Sequence, residues 1–226
     1  MSYELVDLGN GLVFKQKQDS FRFGCDGVEI ANFCEGGKGD KIADLGAGTG
    51  IIDVLLAGKR GMNVTGAVEI QSELCEYVRE NSHINGLEDL ITVINAPMQK
   101  ISDYVEVGSM DAVVSNPPYR KCGSGMKQEN RSIAIARHEI AVKLSEVCDA
   151  AAYLLSSGGK FFVINQTERL AETMYECKKR KLEPKKLQIL TPNEVKEPHL
   201  FMLKCVKDGK EGLIVCKERP VRVEVN

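Results

Sequence analysis

The sequence predicts an α/β fold: a mostly parallel sheet covered by helices on both faces. Three observations predict it. Between Lys41 and Lys181, short apolar runs alternate with helical stretches, the pattern of right-handed strand–helix–strand crossovers. A turn carrying Gly46, Gly48 and Gly50 joins the first strand of that region to its helix. Near the C-terminus two strand-like runs follow one another with no helix between them, so one of them is expected to be antiparallel.

The elements follow in order. Leu5–Leu8 and Leu12–Phe14 flank Gly9-Asn10-Gly11, and an Asn-Gly turn between apolar runs reads as a hairpin. Val28–Phe33 is helix-like, and Gly36–Asp40 is a loop. Strands are expected at 41–44, 64–70, 90–95, 111–115 and 160–164. Helices are expected at 51–59, 72–85, 139–156 (closed by Gly158-Gly159) and 168–181. Lys186–Leu190 and Leu200–Val206 are the two consecutive strands, and Leu213–Cys216 reads as one further short one. Residues 120–137 form the one long irregular stretch. Long loops in compact domains tend to be functional, although a plain connector explains it as well. The expected division is a hairpin-and-helix extension over 1–40, packed on a core over 41–226, together one structural unit.

Composition sets limits on function. Hydrophobic content of 43% and charged content of 27% are those of a globular protein with a sizeable core. No window approaches 18 consecutive apolar residues, which argues against a membrane span. Met1–Leu5 lacks the basic and apolar regions of a signal peptide, so a cytoplasmic protein is expected. The eight cysteines never fall as Cys-x-x-Cys, and the three histidines are dispersed. No metal site is therefore expected, and the cysteines read as small hydrophobes in a reducing compartment. A net charge of −2 excludes a general polycation, yet basic residues cluster twice. Arg120, Lys121, Lys127, Arg131 and Arg137 make the first group. Lys178, Lys179, Arg180, Lys181, Lys185 and Lys186 make the second. Each reads either as a solvated face or as a surface for phosphates.

Asn116-Pro117-Pro118-Tyr119 follows the apolar run Ala112-Val113-Val114. A strand thus delivers an amide to its end, two prolines stiffen the backbone, and an aromatic ring follows. The set suits holding a planar amino group in fixed geometry. It also suits a simple strand stop, because proline cannot donate to the sheet ladder.

The glycine turn, Asp44-Leu45-Gly46-Ala47-Gly48-Thr49-Gly50, sits where ligands bind in doubly wound sheets, at the carboxyl ends of the strands. A dinucleotide fingerprint fails because Gly46-x-Gly48 leads to Ile51 instead of the third glycine. A P-loop fails for want of Gly-Lys-Ser or Gly-Lys-Thr. Asp44 would offer a carboxylate to a cationic ligand. Glu69, at the next strand end, suits the two hydroxyls of a ribose, with a solvent-facing or capping glutamate as the plain alternative.

In this order and spacing, Asp44-x-Gly46-x-Gly48-x-Gly50, Glu69 and Asn116–Tyr119 resemble the class I S-adenosylmethionine-dependent methyltransferases that act on amino nitrogens. Within that group the tetrapeptide marks N6-adenine, release-factor glutamine and some rRNA guanine-N2 enzymes. Phe21–Phe33, Ile135–Glu139 and Gly209–Leu213 are similar to the bacterial tRNA1(Val) (adenine(37)-N6)-methyltransferases, which modify the adenosine beside the anticodon of a valine tRNA. The resemblance runs over nearly the whole chain.

The resemblance implies a Rossmann-like fold with a seven-stranded, mostly parallel sheet whose last strand is antiparallel. It implies S-adenosyl-L-methionine as cofactor and tRNA as partner. Cofactor contacts would come from Asp26, Asp44, Gly46, Gly48, Gly50, Glu69, Ile70, Ala96 and Asn116. Asn116, Pro117, Pro118 and Tyr119 would hold the target base, and Arg120, Lys121, Arg131 and Arg137 its flanking phosphates. The chain departs from the family pattern after the third strand, where an acidic adenine contact is usual and Asn95-Ala96-Pro97-Met98 stands instead. Asn95 or backbone groups are the candidates to replace it, with Met98 packing on the adenine. Four other functions compete: protein-glutamine methylation, rRNA guanine-N2 methylation, non-catalytic RNA binding on the same scaffold, and nicotinamide-dependent oxidation, the last disfavoured by the glycine spacing. The first would bring a long helical N-terminal domain, where only about forty residues precede the glycine turn here.

Overall fold

The computed structural model describes residues 3–17, 24–118, 142–192 and 199–221. Strands β1 (Tyr3–Gly9) and β2 (Leu12–Lys17) form the expected antiparallel hairpin, with Val6 opposite Phe14. After α1 (Cys25–Phe33) come β3 (Lys41–Leu45), α2 (Ile51–Arg60), β4 (Asn63–Glu69), α3 (Ser72–Ile84) and β5 (Ile91–Asn95). A 3₁₀ turn at Met98–Asp103 leads to β6 (Met110–Ser115). The chain closes with α4 (Leu144–Leu154), β7 (Leu155–Gln166), α5 (Leu170–Lys179), β8 (Leu182–Pro192), β9 (Leu200–Lys207), β10 (Ile214–Val215) and β11 (Arg219–Val221).

The main sheet runs β10-β8-β9-β7-β6-β3-β4-β5, and β11 also pairs with β8. β3, β4, β5, β6 and β7 are mutually parallel. β9 is antiparallel to both β7 and β8. The seven long strands are those expected, with the last of them reversed because no crossover helix separates it from β8. Two short pieces, β10 and β11, extend the β8 edge in parallel and bring the sheet to nine strands.

Alternate residues of the central strands feed two separate cores. Ala112, Val114, Phe162, Ile164 and Met202 join α1, α2 and α3 on one face. Val113, Phe161, Val163, Phe201 and Leu203 join α4 and α5 on the other. This is the period-two pleat serving a sheet buried on both sides. The hairpin packs on the first of these layers, with Leu12 and Phe14 both buried in that core. It also lies close over Gly58 of α2, where a Cβ would come 2.7 Å from the Leu12 side chain.

One expected helix is corrected. Residues 139–141 lie outside the described residues, Val142 and Lys143 are not helical, and α4 begins at Leu144. The start is set by Glu146, whose carboxylate accepts the Lys143 N–H at 2.7 Å, an acid in the first turn reaching back to the helix entrance. Gly158-Gly159 does not close this helix. The chain turns straight from Leu154 into β7, and the glycines sit in a bulge where Leu155 opposes Met110 but Lys160 opposes Ala112. Gly158 takes φ +82° there, a left-handed conformation that costs glycine nothing.

Candidate active site

The carboxyl ends of β5, β4, β3 and β6 lie side by side and bring the strand-end residues Asp44, Glu69, Asn95 and Asn116 to one end of the sheet. Leu45 opposes Val68, and Glu69 opposes Asn95. Asp44 opposes Val114, and one residue further the Ser115 hydroxyl donates to the Leu45 carbonyl at 2.7 Å. Asn116 therefore leaves the sheet where Gly46 does. Asn116 is half-buried, Pro117 buried and Pro118 exposed. Tyr119, Arg120, Lys121, Arg131 and Arg137 lie outside the described residues.

All three glycines of the turn have positive φ: +89° at Gly46, +57° at Gly48 and +88° at Gly50. An L side chain pays about 1–2 kcal/mol in that region, which is why the sequence repeats glycine at alternate positions. The Gly46 and Ala47 N–H groups both donate to the Val68 carbonyl, folding the turn back over the end of β4. The space a Cβ would take at Gly48 is open, with no atom within 4 Å.

Glu69 is buried and held at both oxygens, by the Gly48 N–H at 3.1 Å and the Gln71 N–H at 2.8 Å. Its carboxylate is thereby fixed in orientation and keeps lone pairs for further donors. Ile70, next in the chain, is 37% exposed. Ala96 is buried and donates its N–H to the Glu69 carbonyl. Asn95, considered above as a stand-in for the acidic adenine contact, spends its amide hydrogens elsewhere. Its Nδ2 donates to the Glu69 and Ile70 carbonyls at 2.9 and 3.0 Å. Met98 is buried beneath the turn, its Cε 3.9 Å from the place of a Gly46 Cβ.

Asp44 is fully buried, and neither carboxylate oxygen has a hydrogen-bond partner. Burial first, then the charges of Asp53 and Glu69, push its carboxyl well above the ordinary range. Asp53, in the first turn of α2, is also fully buried and unpartnered, and burial pushes it up to about 8. Two orphaned carboxyls and an open glycine turn fit a cationic ligand with a polyhydroxylated body. Asp26 lies in the first turn of α1 and accepts the Gly27 N–H at 2.9 Å. Gly27 in turn abuts Ile51 at the start of α2, where a Cβ would meet Ile51 Cγ2 at 2.9 Å.

Sequence reasoning passed over Asp53, Ser115 and Asn81. Asp53 left a signal, a lone carboxylate inside the apolar run Ile51–Ala57. Four of the six residues of the second basic stretch have internal partners. Arg180 pairs with Asp149 and Glu176, Lys178 with Glu183, and Lys186 with Glu35, which also takes Lys204 at 2.7 Å. Lys185 Nζ donates to the Lys210 and Glu211 carbonyls. Among the described residues no group of three His, Cys, Asp or Glu side chains gathers to hold a metal, and no helix is long and apolar enough to cross a membrane.

This architecture is that of a class I methyltransferase. A solved structure of a predicted O-methyltransferase from Agrobacterium tumefaciens superposes with a TM-score of 0.66 at 18% identity, covering 88% of this chain and 86% of that one. The methyltransferase small domain family matches residues 30–183, more than half of the chain. Two curated relatives carry the name tRNA1(Val) (adenine(37)-N6)-methyltransferase. The one from Trichodesmium erythraeum is 32% identical over 71% of this chain and 69% of its own. The one from Dyadobacter fermentans is 27% identical over 70% of this chain and 65% of its own. The chain belongs to the methyltransferase small domain family, and within it to the group of these tRNA1(Val) adenine methyltransferases.

Proposed function

We propose that the protein transfers a methyl group from S-adenosyl-L-methionine to N6 of an adenine in tRNA, at the adenosine beside the anticodon of a valine tRNA. The observation that carries this reading is the strand register that sets Asn116 beside the glycine turn. A donor cradle and an amide clamp would then share the carboxyl end of the sheet. The relatives' names supply the nucleic acid and the base.

The donor supplies an activated methyl on a sulfonium, which needs neither a metal nor a covalent intermediate. Glu69, oriented by the Gly48 and Gln71 N–H groups, accepts the ribose hydroxyls. Asp44 offers its unpartnered carboxyl oxygens to the donor's amino group from beneath the turn. Ile70 and Ala96 would flank the donor's adenine, Asp26 would stand on the far side, and the glycines would admit the backbone's close approach. On the acceptor side, the Asn116 side-chain oxygen and the Pro117 carbonyl accept the two N6 hydrogens. This orients the nitrogen toward the methyl and stabilises the positive charge that develops on it. Asn116 and Pro117 would hold the nitrogen while the bound donor gives up its methyl and leaves as a neutral thioether, and one N6 proton would pass to solvent. Pro118 stiffens the clamp and Tyr119 stacks on the extruded base, a contact worth about 1–3 kcal/mol. The target must be unstacked to enter, which favours a loop nucleotide. Arg120, Lys121, Arg131 and Arg137 hold the adjoining phosphates.

The test is nucleoside mass spectrometry of unmodified valine tRNA incubated with the protein and donor. Wild type is expected to form N6-methyladenosine, and Asn116→Ala to lose it by at least a hundredfold while binding donor within threefold of wild type. Wild-type turnover by Asn116→Ala, or methylation of a protein amide in place of adenine, overturns the reading.

A further inference from the structure

The hairpin is tied to the body by an arrangement that ordinary helix packing does not need. Asn81 of α3, fully buried, accepts the Lys15 N–H at Oδ1 (2.7 Å) and donates from Nδ2 to the Lys15 carbonyl at 3.2 Å. Asn85, one helical turn on, repeats this with Val13, at 2.9 and 2.7 Å. Four residues of helix rise about 6 Å, and two residues of strand about 6.6 Å. Two asparagines at that helical spacing therefore match alternate residues of a strand. They occupy the place of a third strand beside β2 and satisfy backbone groups that β1 leaves open.

Asn81 does one thing more. Its Nδ2 also donates to the Thr49 carbonyl at 3.2 Å, inside the glycine turn. The same peptide plane is held at its other end by the Gly50 N–H on the Ala47 carbonyl at 2.9 Å. One buried amide thus contacts the hairpin and the turn together. Among the described residues the Asn85 side chain bonds the hairpin and, through Nδ2, the Asn81 carbonyl at 2.7 Å, and not the turn.

We propose that Asn81 is a positioning residue for the donor site, through which docking of the N-terminal hairpin sets the glycine turn in its ligand-ready shape. The inference rests on the reading of that turn as the donor site. It makes β1–β2 a working part of the site, because the hairpin holds the amide whose remaining hydrogen holds Thr49.

The experiment compares full-length wild type with Asn81→Ala, Asn85→Ala and Glu69→Ala. It measures calorimetric affinity for S-adenosylhomocysteine, KM for the donor, kcat at saturating donor and thermal midpoint. Asn81→Ala is expected to weaken affinity and raise donor KM about fivefold, the worth of one hydrogen bond, with kcat within twofold. Asn85→Ala is expected to lower the midpoint comparably and leave affinity within twofold. Equal affinity losses in both asparagine variants, or none in Asn81→Ala, overturn the proposal. Unchanged affinity in Glu69→Ala instead overturns the donor-site reading itself. If Asn81→Ala does not fold, hydrogen exchange of the wild type decides. Donor binding is expected to slow exchange of the Lys15 amide together with those of residues 48–50, and slowing at the turn alone overturns the proposal.

Discussion

Replacing Asp53 with alanine should remove much of the protein's pH dependence of stability and strengthen it above neutrality. Asp53 is fully buried without a hydrogen-bond partner, and burial pushes its carboxyl from an ordinary 3.8 up to about 8. The folded state therefore holds a proton that the unfolded chain releases between those two values. Its stability contribution is intact below pH 3.8 and is lost as pH rises toward 8. Each tenfold change in proton affinity is worth about 1.4 kcal/mol, which puts the ceiling near 6 kcal/mol. That is a large share of a domain's usual stability, about 5–15 kcal/mol, so water entry and relaxation around the charge will trim it. A decline of about 2–4 kcal/mol between pH 5 and pH 8 is expected for wild type. Asp53→Ala should halve that decline at least, because the buried carboxyl that must ionise is gone and with it the charge that also raises Asp44. Urea unfolding at pH 5, 6.5 and 8 measures it. Parallel stability curves for the two proteins would refute the reasoning.

Two further outcomes follow from the same geometry. Gly48→Ala meets no neighbouring atom but must adopt φ +57°. It should cost about 1–2 kcal/mol of stability and weaken donor binding further, because the new methyl occupies the open side of the turn. Equal urea midpoints and equal donor affinities for variant and wild type would contradict it. Replacing Arg131 and Arg137 together with alanine should weaken tRNA binding and lower the slope of log affinity against log salt by about 2, read by filter binding from low to moderate salt. An unchanged slope removes those residues from the phosphate contacts.

Much of the fold is written in short-range patterns. Strand and helix positions follow from runs of a few residues, and most elements fall within two residues of expectation. The glycine triplet is legible because a left-handed φ is a property of one residue, and the structure uses that freedom at all three positions. The long helix was misjudged because Gly158-Gly159 reads locally as a helix stop. Only the pairing of β7 with β6 shows those glycines to be a bulge within a strand. The second basic stretch stayed open between a solvated face and a phosphate surface because two of its acidic partners, Asp149 and Glu35, are remote in sequence.

By itself, the sequence determined the alternation of elements, the glycine turn, the acid at the end of β4 and the asparagine that follows β6. Each depends on the conformational preferences of neighbouring residues. Tertiary structure alone decided that β9 inserts between β7 and β8, and that β6 lies beside β3 so that Asn116 emerges next to Gly46. It alone buried Asp44 and Asp53 without partners, and it alone set Asn81 between Lys15 and Thr49. These pairings join residues distant along the chain, and their energy comes from burial and strand pairing that exist only once the layers have closed.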